Sequence, residues 1–360
     1  MLINTTLRIA QIIDSLDPGG AERMAVNLCN AYAEEGIFSG MIVTRNEGSL
    51  KSALSPNVSY LYLNRTKKID IKALFKARAY LKKNNITHVQ AHGTSLFFAV
   101  LLKITSPALR IIWHDHLGNR AEKNKENLSV RILSFFVYRV LVVNETLEKW
   151  AFNNLWCKTI KRISNFTSIT QEVEATFLKG INEKRIVCLA NLKHPKNHFF
   201  ILNCFYESSI HELGWTLHFV GKDFDDSYSK QLKNYIQEKK ITSKVFFYGS
   251  CADTHHILRQ AQVGVLGSTY EGFPVVLLEY GLAKLTVIAT DVGYNSHLIN
   301  ADKTGWLIRS NNKNDGIKAF VEMANNLKKS NNLAQNLNDL VIAEYSKEKV
   351  VKELIEFIGK

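Results

Sequence analysis

Ser268-Thr269-Tyr270-Glu271-Gly272-Phe273-Pro274-Val275-Val276-Leu277-Leu278-Glu279 is the stretch on which the reading of this chain turns. The apolar, β-branched run before it, residues 263–267, predicts a strand. The run at residues 274–283 predicts a helix, with Pro274 in the first turn, where its missing N–H costs nothing. Gly272 lets backbone approach a ligand closely. One carboxylate, Glu271, therefore sits in a strand-to-helix loop, and a second, Glu279, lies further along the helix. The free amides of the helix start lie between them and favour an anion. Two carboxylates suit vicinal hydroxyls, and the amides suit phosphate. Taken alone, the pattern equally describes a helix with a favourable acidic start.

Outward from this stretch, short apolar runs alternate with longer amphipathic ones. Strands are predicted at residues 7–13, 40–44, 58–63, 88–92, 110–114 and 140–144, and again at 186–192, 217–221, 245–248, 286–290 and 305–308. Helical periods occupy residues 21–35, 71–84, 129–138, 229–239 and 347–358. Such alternation predicts parallel sheets covered by helices on both faces. The pattern occurs twice, with residues 161–183 reading as an irregular join. The expected fold class is α/β, with two Rossmann-like doubly wound domains facing a central cleft. The expected bounds are 1–165, 166–345, and a terminal helix at 346–360 packing back on the first domain. Ligands of such sheets bind at the carboxyl ends of the strands.

The 360 residues are 46% hydrophobic, enough for real cores, and carry a formal net charge of +13. The charge is uneven, with 24 Lys and Arg against 14 Asp and Glu in residues 1–180, and 22 against 19 in the rest. A basic half implies an anionic partner. Nucleic acid ranks last among these, because no recognition motif or aromatic stacking run accompanies the charge. The five cysteines are scattered, which argues against a disulfide framework or a zinc site and for a reducing compartment. No signal peptide and no spanning segment is read, so the expected location is cytoplasmic.

Asp17-Pro18-Gly19-Gly20-Ala21-Glu22-Arg23 follows the first strand and opens the first helix. Here too, glycines and free amides suit an anion, although a plain tight turn fits equally well. This turn belongs to a specific resemblance. Residues 271–279 resemble the Glu-x7-Glu signature of the retaining glycosyltransferases called family 4, which have the GT-B fold. The resemblance extends through Gly19-Gly20-Ala21-Glu22-Arg23, residues 189–198, His218-Phe219-Val220-Gly221, Phe246-Phe247-Tyr248-Gly249, Thr290-Asp291-Val292-Gly293 and Thr304-Gly305-Trp306-Leu307, in matching order and spacing.

What the resemblance implies is a transferase that takes a sugar from a nucleotide-sugar, the UDP-sugars being the commoner donors of the family, with retention of configuration. Glu271 would meet the donor sugar and Glu279 the ribose. Lys196 would hold the diphosphate, and Lys193 would supply the second cation, because Asn191 stands where the family has Arg. Gly19, Gly20, Gly249, Gly272, Phe273, Pro274 and Val275 complete the donor set. His114 matches a family histidine near the reacting sugar, with His114, Glu271 and Lys196 as the catalytic candidates. His92 and His116 are acceptor-side candidates. No metal and no other cofactor is expected: Asp223-Phe224-Asp225-Asp226 reads as a solvated loop, and His114/His116 lack a third ligand at a motif distance. Departures occur at Lys284, Thr286, Tyr294 and His297. The implied acceptor is a glycan or lipid-linked glycan of a bacterial surface polymer. The basic runs 67–83 and 123–139 could rest on an anionic membrane, at the inner face of the cell membrane; alternatively, the first is a solvated helix face and residues 128–138 a buried helix. Two rival readings remain: a catalytically silent nucleotide-binding protein of the same fold, and a sugar-nucleotide epimerase.

Overall fold

The computed structural model describes residues 7–117, 128–166 and 173–359. The chain divides into two units, residues 1–168 with 347–360, and residues 169–346.

Unit 1 runs β1 (Arg8–Ser15), α1 (Gly20–Glu34), β2 (Phe38–Asn46), β3 (Ser59–Tyr62), α2 (Ile71–Lys83), β4 (His88–His92), α3 (Leu96–Thr105), β5 (Arg110–Asp115), α4 (Leu128–Leu133), β6 (Arg139–Val142), α5 (Glu145–Asn154) and β7 (Ile160–Arg162). All its strands are parallel, in the order β3-β2-β1-β4-β5-β6-β7. Strands buried on both faces read as near-continuous apolar runs, which Gln11 interrupts in β1. Asp70 caps α2 by accepting the Ala73 N–H at 3.0 Å, and Asn144 caps α5 by accepting that of Leu147 at 2.8 Å.

Unit 2 runs β8 (Arg185–Leu189), α6 (His198–Glu207), β9 (Thr216–Val220), α7 (Ser227–Glu238), β10 (Val245–Phe247), α8 (Thr254–Arg259), β11 (Val263–Leu266), α9 (Val275–Leu282), β12 (Thr286–Thr290), α10 (Asn295–Leu298), β13 (Trp306–Ile308), α11 (Lys313–Asn325) and α12 (Leu327–Glu344). Its parallel order is β10-β9-β8-β11-β12-β13. The last helix, α13 (Lys347–Gly359), belongs to unit 1. Its Val350, Val351, Leu354 and Ile358 pack with Met24, Leu28 and Tyr32 of α1 into one buried cluster.

Two readings of the sequence are corrected. The join expected at 161–183 is entered by a strand, β7, paired in register with β6. Residues 128–138 are not a buried helix: none of α4's residues is buried, and Leu128, Ile132 and Phe135 face solvent. The apolar period there was real, but it points outward. Lys123, also part of that basic run, lies outside the described residues.

Candidate active site

Each sheet changes winding direction once. In unit 2 the chain moves from β8 to β9 and β10, then returns to lay β11 on the other side of β8. Beyond the carboxyl ends of β8 and β11 the diverging loops leave the crevice where doubly wound sheets take ligands. The loop after β8 carries Asn191, Lys193 and Lys196, and the loop after β11 carries Ser268, Glu271 and Gly272. The Thr269 N–H donates to the Pro195 carbonyl at 2.9 Å, which ties the two loops together. Lys196 Nζ lies 2.5 Å from Glu271 Oε1, and the same oxygen accepts the Ser268 hydroxyl at 2.7 Å. The two charged groups named for donor chemistry, 75 residues apart in sequence, are thus one ion pair at the switch point.

The remaining donor candidates of unit 2 surround this pair. Asn191 Oδ1, on its side chain, accepts the Lys222 N–H at 2.8 Å, so the residue standing in place of Arg fastens the loops after β8 and β9. The ammonium groups of Lys193 and Lys222 flank the Phe224 ring at 4.7 and 5.3 Å. Lys222 was not singled out from sequence; its position directly after a predicted strand end was the available signal. Pro274 is the N-cap of α9 rather than its first helical residue, and Val275 opens the helix. Glu279 is buried on α9, and Phe273 is buried and stacked on Tyr294, which stacks on His297 at 4.1 Å. The departures at Tyr294 and His297 therefore form an aromatic stack beside the Glu271 loop. Gly293, at φ +56, packs so closely on the Glu271 carbonyl that a Cβ would collide with it. Gly249 is also left-handed, at φ +68, and its carbonyl accepts the Gly221 N–H at 2.8 Å. Lys284 takes φ 55, a region that glycine occupies without strain. The Asp223–Asp226 loop has structural work: Asp223 pairs with Lys233 at 2.7 Å, and Asp226 caps α7.

Unit 1 has its own switch point, between β1 and β4. Gly19 is the N-cap of α1, and the space where a Gly20 Cβ would stand is open. The three histidines come together here. His92 and His114 are register partners at the ends of β4 and β5. His116 follows two residues later, and one nitrogen from each ring lies within 4.8 Å of the others. The expectation that His114 and His116 lack a third ligand is therefore corrected: a neighbouring strand, not chain spacing, supplies His92.

A buried amide chain orients these rings. Gln90 Oε1 accepts Gln11 Nε2 at 3.3 Å and the Tyr32 hydroxyl at 3.4 Å, which leaves Gln90 Nε2 facing His114 Nδ1 at 3.0 Å. Gln11 Oε1 faces His92 Nε2 at 2.7 Å, and His92 Nδ1 faces His116 Nε2 at 2.9 Å. The directions close consistently when each imidazole is neutral with its proton on Nε2. Burial, with lesser repulsion from His116, holds His92 and His114 well below the usual histidine range, and burial pushes His116 down to about 3. His114 Nε2 is buried and has no hydrogen-bond partner among the described residues. A metal bound at His92 Nδ1 would displace the His92–His116 hydrogen bond, and one bound at His114 Nε2 would shift that ring's proton to Nδ1. That turns the Gln90 amide against Gln11. Polar Gln11 and Gln90 inside buried strands were the signal that sequence reading passed over.

Residues 18–191 match the model of "Glycosyltransferase Family 4", and residues 171–339 that of "Glycosyl transferases group 1". An uncharacterized glycosyltransferase of Haemophilus influenzae is 22% identical over 358 residues, covering 93% of this chain and 95% of that one. An O-antigen biosynthesis glycosyltransferase of Escherichia coli, WbnH, is 23% identical over 85% of this chain and 87% of its own. Among solved structures, Anabaena HepE in complex with UDP and glucose superposes with a TM-score of 0.83 at 15% identity, over 98% of this chain and 99% of that one. The two winding reversals, the paired loops above β8 and β11, and matches running from residue 18 to residue 339 converge. This chain is a glycosyltransferase of group 1 with the GT-B fold.

Proposed function

We propose that unit 2 binds a nucleotide-sugar, a UDP-sugar first among candidates, and that the enzyme transfers the sugar with retention to a glycan or lipid-linked glycan during bacterial surface polysaccharide synthesis. The observation that carries this reading is the Lys196–Glu271 ion pair at the switch point. Without donor the two charges satisfy each other. When a diphosphate arrives, Lys196 turns to its oxygens and Glu271 is freed for sugar hydroxyls. Lys193 stands on the same loop, and the amides opening α9 face the same crevice end of the sheet. As the bond from sugar C1 to the diphosphate oxygen breaks, charge grows on the leaving group, and fixed cations stabilise it. The acceptor oxygen bonds to C1 and its proton passes to the departing phosphate. We assign no protein nucleophile. Supply of positive charge by lysines makes transfer without a divalent ion the expected behaviour. UDP as donor base is supported by the UDP in the HepE complexes, and the acceptor class by relatives named for O-antigen and poly(ribitol-phosphate) glycosylation.

The test is thermal stabilisation of the full chain by UDP, GDP, ADP and CDP, with Mg²⁺ or with EDTA. One diphosphate should stabilise the protein in both conditions. Lys196→Ala should weaken its affinity roughly ten-fold to hundred-fold, the cost of a charge-assisted contact. Stabilisation by none of them would sink the donor reading and favour the catalytically silent alternative, which Asn191 in place of Arg motivates. Conversion of a nucleotide-sugar with no acceptor present would favour an epimerase.

A further inference from the structure

Gln11 of β1 and Gln90 of β4 are register partners, and His92 and His114 stand two residues beyond, on β4 and β5. Side chains two apart on a strand share a face. The two amides and two imidazoles therefore form a polar row on one side of the sheet. Ile9 and Ile112 lie on the same side, in one buried cluster with Met24, Leu28 and Tyr32 of α1. Tyr32 and all four members of the row are buried. Apolar side chains would fill this layer without the cost of burying polar groups, so the row is stable only where each group finds its partner.

A chain of amides and neutral imidazoles can run in two directions. An amide turned end for end keeps its shape and exchanges its donor for its acceptor. In one direction Gln90 donates to His114 Nδ1, and the ring proton sits on Nε2. In the other, both amides are turned, His114 donates from Nδ1, and a bare lone pair is left at Nε2. Tyr32 decides between them. Its hydroxyl lies 3.4 Å from Gln90 Oε1 and has no other partner among the described residues. Opposite a carbonyl oxygen, the hydroxyl donates. Opposite an amide NH2 it would have to accept, and its own proton would be buried with no acceptor. Gln11 follows Gln90, its Nε2 donating to the same oxygen at 3.3 Å. We infer that Tyr32, Gln90 and Gln11 are positioning residues that keep the proton on His114 Nε2, so that the end of β5 offers a hydrogen-bond donor to a hydroxyl oxygen of the bound sugar. His114 Nε2 is the one buried nitrogen of the row without a partner among the described residues. Its Nδ1 lone pair is taken by Gln90 at 3.0 Å, which leaves the ring no site from which to remove a proton. His114 therefore orients and polarises a hydroxyl and does not act as a base. The proton position rests on unit 1 alone; that the oxygen belongs to a sugar rests on the donor reading.

Long-range proton–nitrogen NMR of the full chain, with ¹⁵N in its histidines, reads each ring proton directly. His114→Asn identifies the His114 signals by their loss. In the wild type at neutral pH, Nε2 should carry the proton and Nδ1 none. Gln90→Glu turns the facing group into one that only accepts, and should bring a proton onto Nδ1. Tyr32→Phe deletes a single oxygen and should leave His114 divided between the two forms. A purely structural role would not move a proton between ring nitrogens, and unchanged thermal unfolding verifies that each variant is folded. Should Gln90→Glu not fold, Tyr32→Phe decides. Addition of UDP-glucose, the ligand of a HepE complex, or of UDP-N-acetylglucosamine should shift the His114 Nε2 signal, and UDP alone should not. A wild-type proton on Nδ1, a folded Gln90→Glu with Nδ1 still bare, or a folded Tyr32→Phe with His114 wholly in the Nε2 form overturns the positioning role. An unmoved Nε2 signal with either UDP-sugar bound overturns the sugar contact. Failure of all three nucleotides to bind would overturn the donor reading instead, since the proton position is read without ligand.

Discussion

A buried imidazole whose partners require its neutral form makes stability depend on pH in a fixed direction. His116 takes up a second ring proton in the folded chain only near pH 3, whereas an unfolded histidine takes it near 6.5. Between those values the unfolded state binds more protons, so stability falls as pH falls and is fully present only above about 6.5. His92 and His114 act in the same sense. Urea unfolding midpoints should therefore drop steadily from pH 7 to pH 5. His116→Gln should remove part of that slope, about 1.4 kcal/mol per pH unit at most. An unchanged slope would show that the ring is solvated or charged in the folded protein. The sequence displayed these histidines but not their grouping, because β4–β5 register is a long-range fact. Lys196 and Glu271 could be named individually from motif context for a different reason: each follows a predicted strand end, where side chains of doubly wound sheets collect.

Among elements, α9 has the most consequential placement, and a tyrosine secures it. The Tyr280 hydroxyl accepts the Leu189 N–H of β8 at 2.9 Å and donates to the Val265 carbonyl of β11 at 3.2 Å. Its ring lies on Gly264, where any Cβ would collide with it. The helix that opens beside Glu271 is thereby fastened to both strands at the switch point. Gly264→Ala should destabilise unit 2 by about 1–3 kcal/mol through overpacking. Combined with Tyr280→Leu, the two losses should sum to more than the double variant shows, and strict additivity in chemical denaturation would refute the contact. Several elements were legible: β4 and β12 have the bounds read from the sequence, and α2 begins where expected. Two kinds of element were not. β7 is three residues of mixed polarity whose pairing comes from β6, not from its own pattern. For α4 the period identified a helix, yet periodicity carries no sign and could not tell an inward stripe from an outward one.

For the molecule as a whole, the return of α13 is decisive. Leu354 is fully buried among α1 and sheet residues, and Lys347 reaches Glu34 of α1 at 2.5 Å. Truncating such a leucine costs about 2–5 kcal/mol. Leu354→Ala should raise amide exchange in α1 and β1 while leaving β8 and β11 as protected as before. A rise of equal size in β8 would mean that the cluster belongs to a single cooperative core. The same return orders events on the ribosome. Residues 169–346 emerge and can fold before the helix that completes unit 1 has been translated, so the segment made first is finished last. During that interval Met24, Leu28 and Tyr32 stand uncovered, and the nascent chain presents an open apolar groove to chaperones until its final turn of helix arrives.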